Sequence, residues 1–279
     1  MDAGLRLESM KRSPVTGQDR SFQLASYSVG GLWAFVPGYG FGATASVAQR
    51  APATEELYSG GPHDATGTFD IGNPNFEKET SRNIELTLQK TSGPVRWKAN
   101  LFQNHIRNFV FGQIAGNTVD EDGNPGGEFR ERIFGQANAT IRGAEAEISY
   151  NLHGDGLSLR TFADTSRGTL DDAGNLPLQP ATRFGADVGY RQGGWRSGIA
   201  LLHAQKQDRL AAFETTETPA YTQLDANLSY TRRYGTHDVT WFAIGKNLLN
   251  QDIRLSTSVL KDVAPLPGRN LVVGLRTKF

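Results

Sequence analysis

Residues 269–279 read RNLVVGLRTKF. In an extended chain, Leu271, Val273, Leu275, Thr277 and Phe279 share one face, and Asn270, Val272, Gly274, Arg276 and Lys278 share the other. One face is apolar and the other mostly polar or small, a period of two with no helical component. Most domains end in frayed polar residues, whereas this stretch holds its alternation to a final phenylalanine.

The same alternation recurs upstream. In RNIELTLQK (82–90), Ile84, Leu86 and Leu88 oppose Glu85, Thr87 and Gln89. In GAEAEISY (143–150), Ala144, Ala146, Ile148 and Tyr150 oppose Glu145, Glu147 and Ser149. RFGADVGYR (183–191) and QLDANLSY (223–230) follow the same rule. The pattern predicts about twelve strands, near 3–9, 22–36, 40–50, 81–90, 95–109, 133–152, 157–168, 181–191, 195–206, 220–233, 237–249 and 269–279.

Pattern alone leaves a soluble sandwich open. The connections argue against it. Short links at 37–40, 91–94, 153–156, 192–194 and 234–237 alternate with long ones near 51–79, 112–130, 169–180, 207–218 and 251–268. Tight turns at one rim and long loops at the other are the layout of an outer-membrane β-barrel. Tyr150, Tyr190 and Tyr230 precede short links, Trp97, Trp195 and Trp241 follow them, and Phe279 ends the last strand. These aromatics fall at one height, where amphipathic rings favour a membrane interface. The fold class is therefore all-β, an antiparallel up-and-down transmembrane barrel.

Composition closes other routes. Twenty-nine basic and twenty-nine acidic residues give zero formal charge, so no global field favours nucleic acid. Cysteine is absent, which excludes a disulfide scaffold and thiolate metal sites. No catalytic order of nucleophile and base accompanies the paired carboxylates Glu145 and Glu147. GYGFGA at 38–43 is followed by strand pattern, and so reads as a turn and not a phosphate loop.

Combined motifs carry a resemblance. Arg50-Ala51-Pro52, Glu56-Leu57-Tyr58, Gly72-Asn73-Pro74 with Glu79, Asn247-Leu248-Leu249-Asn250 and Pro267-Gly268-Arg269 resemble TonB-dependent outer-membrane receptors, and the segment GPHDATGTFDIGNP (61–74) is most similar to the branch that includes zinc and other metal-uptake receptors. The resemblance implies one partial barrel domain over 1–279, the C-terminal half of a barrel of about 22 strands, with plug and coupling segment absent. A small closed barrel of twelve strands is the geometric alternative. It also implies ligand uptake, with outer-membrane lipid, the receptor's own plug and N-terminal barrel half, the TonB complex and the barrel-assembly machinery as partners. Leu271, Val273, Leu275 and Phe279 resemble the terminal signal by which such barrels are inserted. A siderophore or cobalamin receptor is the rival within the family, and a passive porin the rival outside it.

Two sets of site residues follow. Arg50, Glu55, Glu56, His63 and Asp64 are ligand-loop candidates, and His63 with Asp64 are the candidate ligands for zinc as cargo, since neutral imidazole and carboxylate suit that ion. No resident cofactor is expected. Alternation places Glu85, Arg96, Lys98, Glu145, Glu147, Arg160, Asp164, Arg183, Asp187, Arg191, Arg196 and Asp225 toward the lumen. For any one of them a solvated wall position is the plainer reading.

Overall fold

The computed structural model describes residues 1–15, 17–152, 154–171 and 174–278. Its strands are β1 (Asp2–Arg12), β2 (Arg20–Val36), β3 (Tyr39–Arg50), β4 (Gly60–His63), β5 (Thr68–Ile71), β6 (Glu79–Lys90), β7 (Val95–Val119), β8 (Phe129–Tyr150), β9 (Gly156–Leu170), β10 (Gly174–Asn175), β11 (Arg183–Gln192), β12 (Trp195–Ala204), β13 (Tyr221–Tyr234), β14 (His237–Lys246) and β15 (Asn270–Lys278). One short helix, α1 (Thr54–Tyr58), lies between β3 and β4.

Twelve strands form the wall, in the order β1-β2-β3-β6-β7-β8-β9-β11-β12-β13-β14-β15, and every neighbouring pair is antiparallel. Among the described residues β1 and β15 do not pair and form the two edges, so the twelve strands leave an open sheet and not the small closed barrel. β4 and β5 form a hairpin in the long link before β6, and β5 joins the wall by pairing parallel with β8.

The register assembles the alternating strands into two continuous faces. Leu275 lies opposite Trp241, Trp241 opposite Tyr230 and Tyr230 opposite Trp195. Ile199 lies opposite Val188, Val188 opposite Leu159, and Leu101 opposite Leu86. This apolar face is the exposed one: Ile84 is 59 % exposed, Leu271 70 % and Val273 71 %. A soluble sheet would bury these residues.

Polar residues line the opposite face, where rings cover glycines. Phe102 lies over Gly143 and Phe162 over Gly185, and a Cβ at either glycine would collide with the ring. At the short-link rim, Pro37-Gly38 turns β2 into β3, with Gly38 at φ 81° as a Pro-Gly type II turn demands. The aromatics gather there: Trp195 and Tyr230 are 4.6 Å apart, Tyr230 and Trp241 6.1 Å, Tyr39 and Trp97 6.3 Å.

Buried apolar residues cluster toward the other rim, among the long links. Phe22, Leu24, Ala51, Leu57, Phe76 and Val110 form one group, and Ala204, Tyr221 and Ile253 another.

Candidate functional site

The link after β3 is held by one arginine. Glu56, at the third position of α1, accepts a hydrogen bond from the Ala53 backbone N–H at 2.7 Å and so satisfies a free donor at the helix start. Arg50 grips the same carboxylate with two donors, at 2.9 and 3.1 Å, and donates to Glu79 Oε2 at 2.6 Å. The second Glu79 oxygen accepts from Val110 N–H at 2.6 Å. Arg50 and Glu79 thus tie together the end of β3, α1, the start of β6 and β7. Glu55 stays exposed on α1.

His63 ends β4, and its exposed ring sits at the outer end of a chain of hydrogen bonds. Asp70, which is ion-paired with Arg132, accepts from Thr68 Oγ1 at 2.8 Å. Thr68 is fully buried, and its oxygen meets Thr66 Oγ1 at 2.7 Å. His63 Nδ1 lies 2.5 Å from Thr66 Oγ1. A carboxylate only accepts, so Thr68 spends its proton on Asp70 and Thr66 spends its own on an oxygen. With the donors running toward Asp70, Thr66 accepts from the ring, an assignment that puts the ring proton on Nδ1. Neutral His63 therefore carries its lone pair on Nε2. Metal-binding histidines are commonly oriented by a hydrogen bond of this kind on the far ring nitrogen.

The ligand-loop candidates Glu55 and Glu56 are not gathered with His63 and Asp64 into a metal cluster. Glu56 is committed to Arg50 and to the helix cap, and among the described residues no group of three or more His, Asp or Glu side chains is arranged to hold a metal ion. Asp64 is exposed at the tip of the β4–β5 hairpin. The Asp70–Arg132 pair that orients His63 went unread in the sequence. Its one signal was the alternation Thr66, Thr68, Asp70, which puts three polar side chains on one face.

On the polar face of the wall, Arg160 bridges Glu147 at 2.7 Å and Asp187 at 2.8 Å. Arg183 meets Asp164 at 3.0 Å, and Lys246 meets Asp225 at 2.8 Å. Register sets Lys98 opposite Glu147, Glu145 opposite both Asn100 and Asp164, Arg96 opposite Ser149 and Arg191 opposite Arg196. Glu85 lies opposite Phe102 and Thr44. All twelve residues assigned to the lumen by alternation share this face. Leu271, Val273 and Leu275 share the apolar face, while Phe279 lies outside the described residues.

A second feature missed in the sequence ties two long links together. Lys261 Nζ lies 3.0 Å from Glu214 Oε1 and donates to Thr216 O at 2.9 Å, and both charged side chains are less than a tenth exposed. Each residue sits in an irregular segment with no periodicity to mark it.

An open-pathed antiparallel wall with an exposed apolar face, a charged opposite face and loops segregated by length is the wall of an outer-membrane barrel. The family model described as TonB dependent receptor-like, beta-barrel matches residues 1–248, and the chain belongs to that family. It is a protein of the outer membrane of Gram-negative bacteria. Over 215 residues it is 24 % identical to heme/hemopexin utilization protein C of Haemophilus influenzae, which covers 68 % of this chain and 30 % of the relative. The chain thus spans about a third of the length of the curated relatives it matches. Among solved structures, the copper transporter OprC superposes with TM-score 0.78 at 17 % identity, covering 98 % of this chain and 46 % of that one. The FrpB iron transporter from Neisseria meningitidis superposes with TM-score 0.70 at 19 % identity, covering 99 % and 42 %. At these identities the structural likenesses speak for the fold.

Proposed function

We propose that this chain is the wall and long-loop rim of a receptor that takes up a metal chelate, with heme as the favoured cargo, by coupling to TonB. The observation that carries the reading is His63: an exposed imidazole on the hairpin whose Nδ1 lies 2.5 Å from Thr66 Oγ1, which leaves Nε2 to a ligand. Such a group suits the open axial position of a chelated iron better than a bare cation, which needs further ligands that the hairpin does not gather. The name of the curated relative points the same way. In this reading the charged face of the wall, including Arg160, Arg183 and Asp225, surrounds a plug and the water about it. The TonB complex supplies the force, and the barrel-assembly machinery reads the last strand.

Zinc as cargo, with His63 and Asp64 as ligands, is the finer alternative. The test is spectral titration of the complete receptor with ferric heme, beside calorimetric titration with zinc, each with wild type and His63→Ala. Loss of the heme shift at low-spin wavelengths in His63→Ala, with zinc binding absent or unchanged, supports the proposal. A zinc affinity that falls in His63→Ala supports the cation reading instead. Heme binding unaffected by the substitution would sink the role of His63 and favour a siderophore-like cargo that brings its own ligands. Uptake that persists without TonB would favour a passive pore.

A further inference from the structure

Four arginines on the apolar face have no partner in the fold. Arg82 of β6, Arg107 of β7, Arg142 of β8 and Arg167 of β9 are exposed, and among the described residues none of them forms an ion pair or a side-chain hydrogen bond. Along their strands they follow the apolar run on the side of the long loops. Arg82 is the next residue on that face after Ile84, and Arg142 the next after Ala144. Register sets Arg142 directly opposite Arg167, and Arg82 opposite His105. The carboxylates of these segments, Glu85, Glu145, Glu147 and Asp164, all alternate to the other face.

The difference from the other cations of the wall is one of face: Arg191 and Arg196, also directly opposite each other, stand on the charged face, whereas Arg142 and Arg167 border the apolar layer. Arg160, Arg183 and Lys246 on the polar face each have an acidic partner. Toward the long loops, the apolar face of β11, β12 and β13 ends in Phe184, His203 and Thr222, with no Lys or Arg. Like charges directly opposite on one sheet face are destabilising, and among the described residues no acidic side chain offsets Arg142 against Arg167. Cations bordering the apolar layer of a barrel cost stability as well.

We infer that this patch binds the phosphate groups of an anionic glycolipid in the membrane leaflet at the long-loop rim. A guanidinium presents a planar fork that matches phosphate in two-point contacts. Arginine stems lie along apolar surface while their heads reach the headgroup layer. Below the patch, Leu86, Leu101, Ala144 and Leu159 offer an apolar surface for the acyl chains. Phosphate supplies the charge the four arginines lack.

The test titrates the detergent-solubilised receptor with bis-phosphorylated lipid A, with the same lipid stripped of phosphate, and with inorganic phosphate, read by native mass spectrometry. Variants are R142Q/R167Q and, at the short-link rim, R232Q; heat-modifiable gel migration checks that each is folded. The expected result is that only phosphorylated lipid binds tightly, that R142Q/R167Q weakens it about thirtyfold, and that R232Q matches wild type. Equal binding of the dephosphorylated lipid, or equal weakening by R232Q, would overturn the site. Inorganic phosphate occupying the patch as well as the lipid does would overturn the lipid assignment.

Discussion

The wall and the long-loop rim treat apolar side chains in opposite ways. Val273, in a regular strand, is 71 % exposed, while Ile253, in an irregular link, is 1 % exposed and Leu57 on the short helix is fully buried. In a soluble domain the regular elements hold the core and the links lie outside. The inversion shows that the wall's solvent is lipid on one side, so its apolar residues need no protein partner. The rim stands in water, and each of its links must therefore build its own small core.

The comparison breaks most readily at the rim. Lys261→Ala leaves Glu214 charged and buried, and is expected to destabilise the two links by about 3–5 kcal/mol, read as lost amide protection in residues 205–220 and 247–269. The double variant Glu214→Leu/Lys261→Met, apolar at both positions, should recover most of that protection. If Lys261→Ala leaves exchange unchanged, the rim is not held by this pair.

In the wall, neighbours on one strand should behave as residues in different solvents. Leu86→Arg faces lipid and is expected to cost about 2–4 kcal/mol in reversible folding into bilayers. Glu85→Arg, one position away on the charged face, should stay within about 0.5 kcal/mol. Equal costs at the two positions would abolish the distinction between the faces. Arg160→Ala, on a half-exposed network, should cost no more than about 1 kcal/mol in the same measurement.

The smallest effect concerns the link between β7 and β8. Hydrogen bonds from the Asn124 backbone and side chain, and then from the Asp122 and Gly123 N–H groups, hold the Asp120 carboxyl below its ordinary value. A lowered folded value means the turn is favoured above the unfolded carboxylate range, and that advantage is lost as pH falls through the folded value. Nuclear magnetic resonance shifts of Asn124 should therefore hold through the ordinary aspartate range and move only below it. A midpoint at the ordinary value would contradict the turn.

How much could be read in advance followed the same division. All twelve wall strands were legible because lipid on one side and charge on the other imposes a strict period of two. β6, expected over 81–90, runs Glu79–Lys90, and β11, expected over 181–191, runs Arg183–Gln192. β7 runs ten residues past its expected end at 109, to Val119. Its upper part, FGQIAGNTV, is rich in Gly, Asn and Gln, and register shifts between Ile106 and Phe109 and between Ile114 and Thr118 break the alternation. α1, β4, β5 and β10 are too short for a periodic signal. At the rim, His63 could be picked out by its type, but its orientation could not. That depends on Arg132, 62 residues beyond the Asp70 it pairs with, brought close by a parallel pairing no local pattern announces. The resemblance to the zinc branch carried the family and not the cargo.

The most direct test uses the absence of cysteine from residues 1–279, with any cysteine elsewhere in the receptor replaced by serine. Single cysteines placed in turn at residues 84 to 89 of the bilayer-inserted receptor, each carrying a fluorophore, would be exposed to brominated lipid and then to a water-soluble quencher. The account predicts strict alternation, with 84, 86 and 88 quenched by lipid and 85, 87 and 89 by the aqueous agent. Aqueous quenching at all six would mean that the apolar face meets water, and the chain would not be a membrane wall.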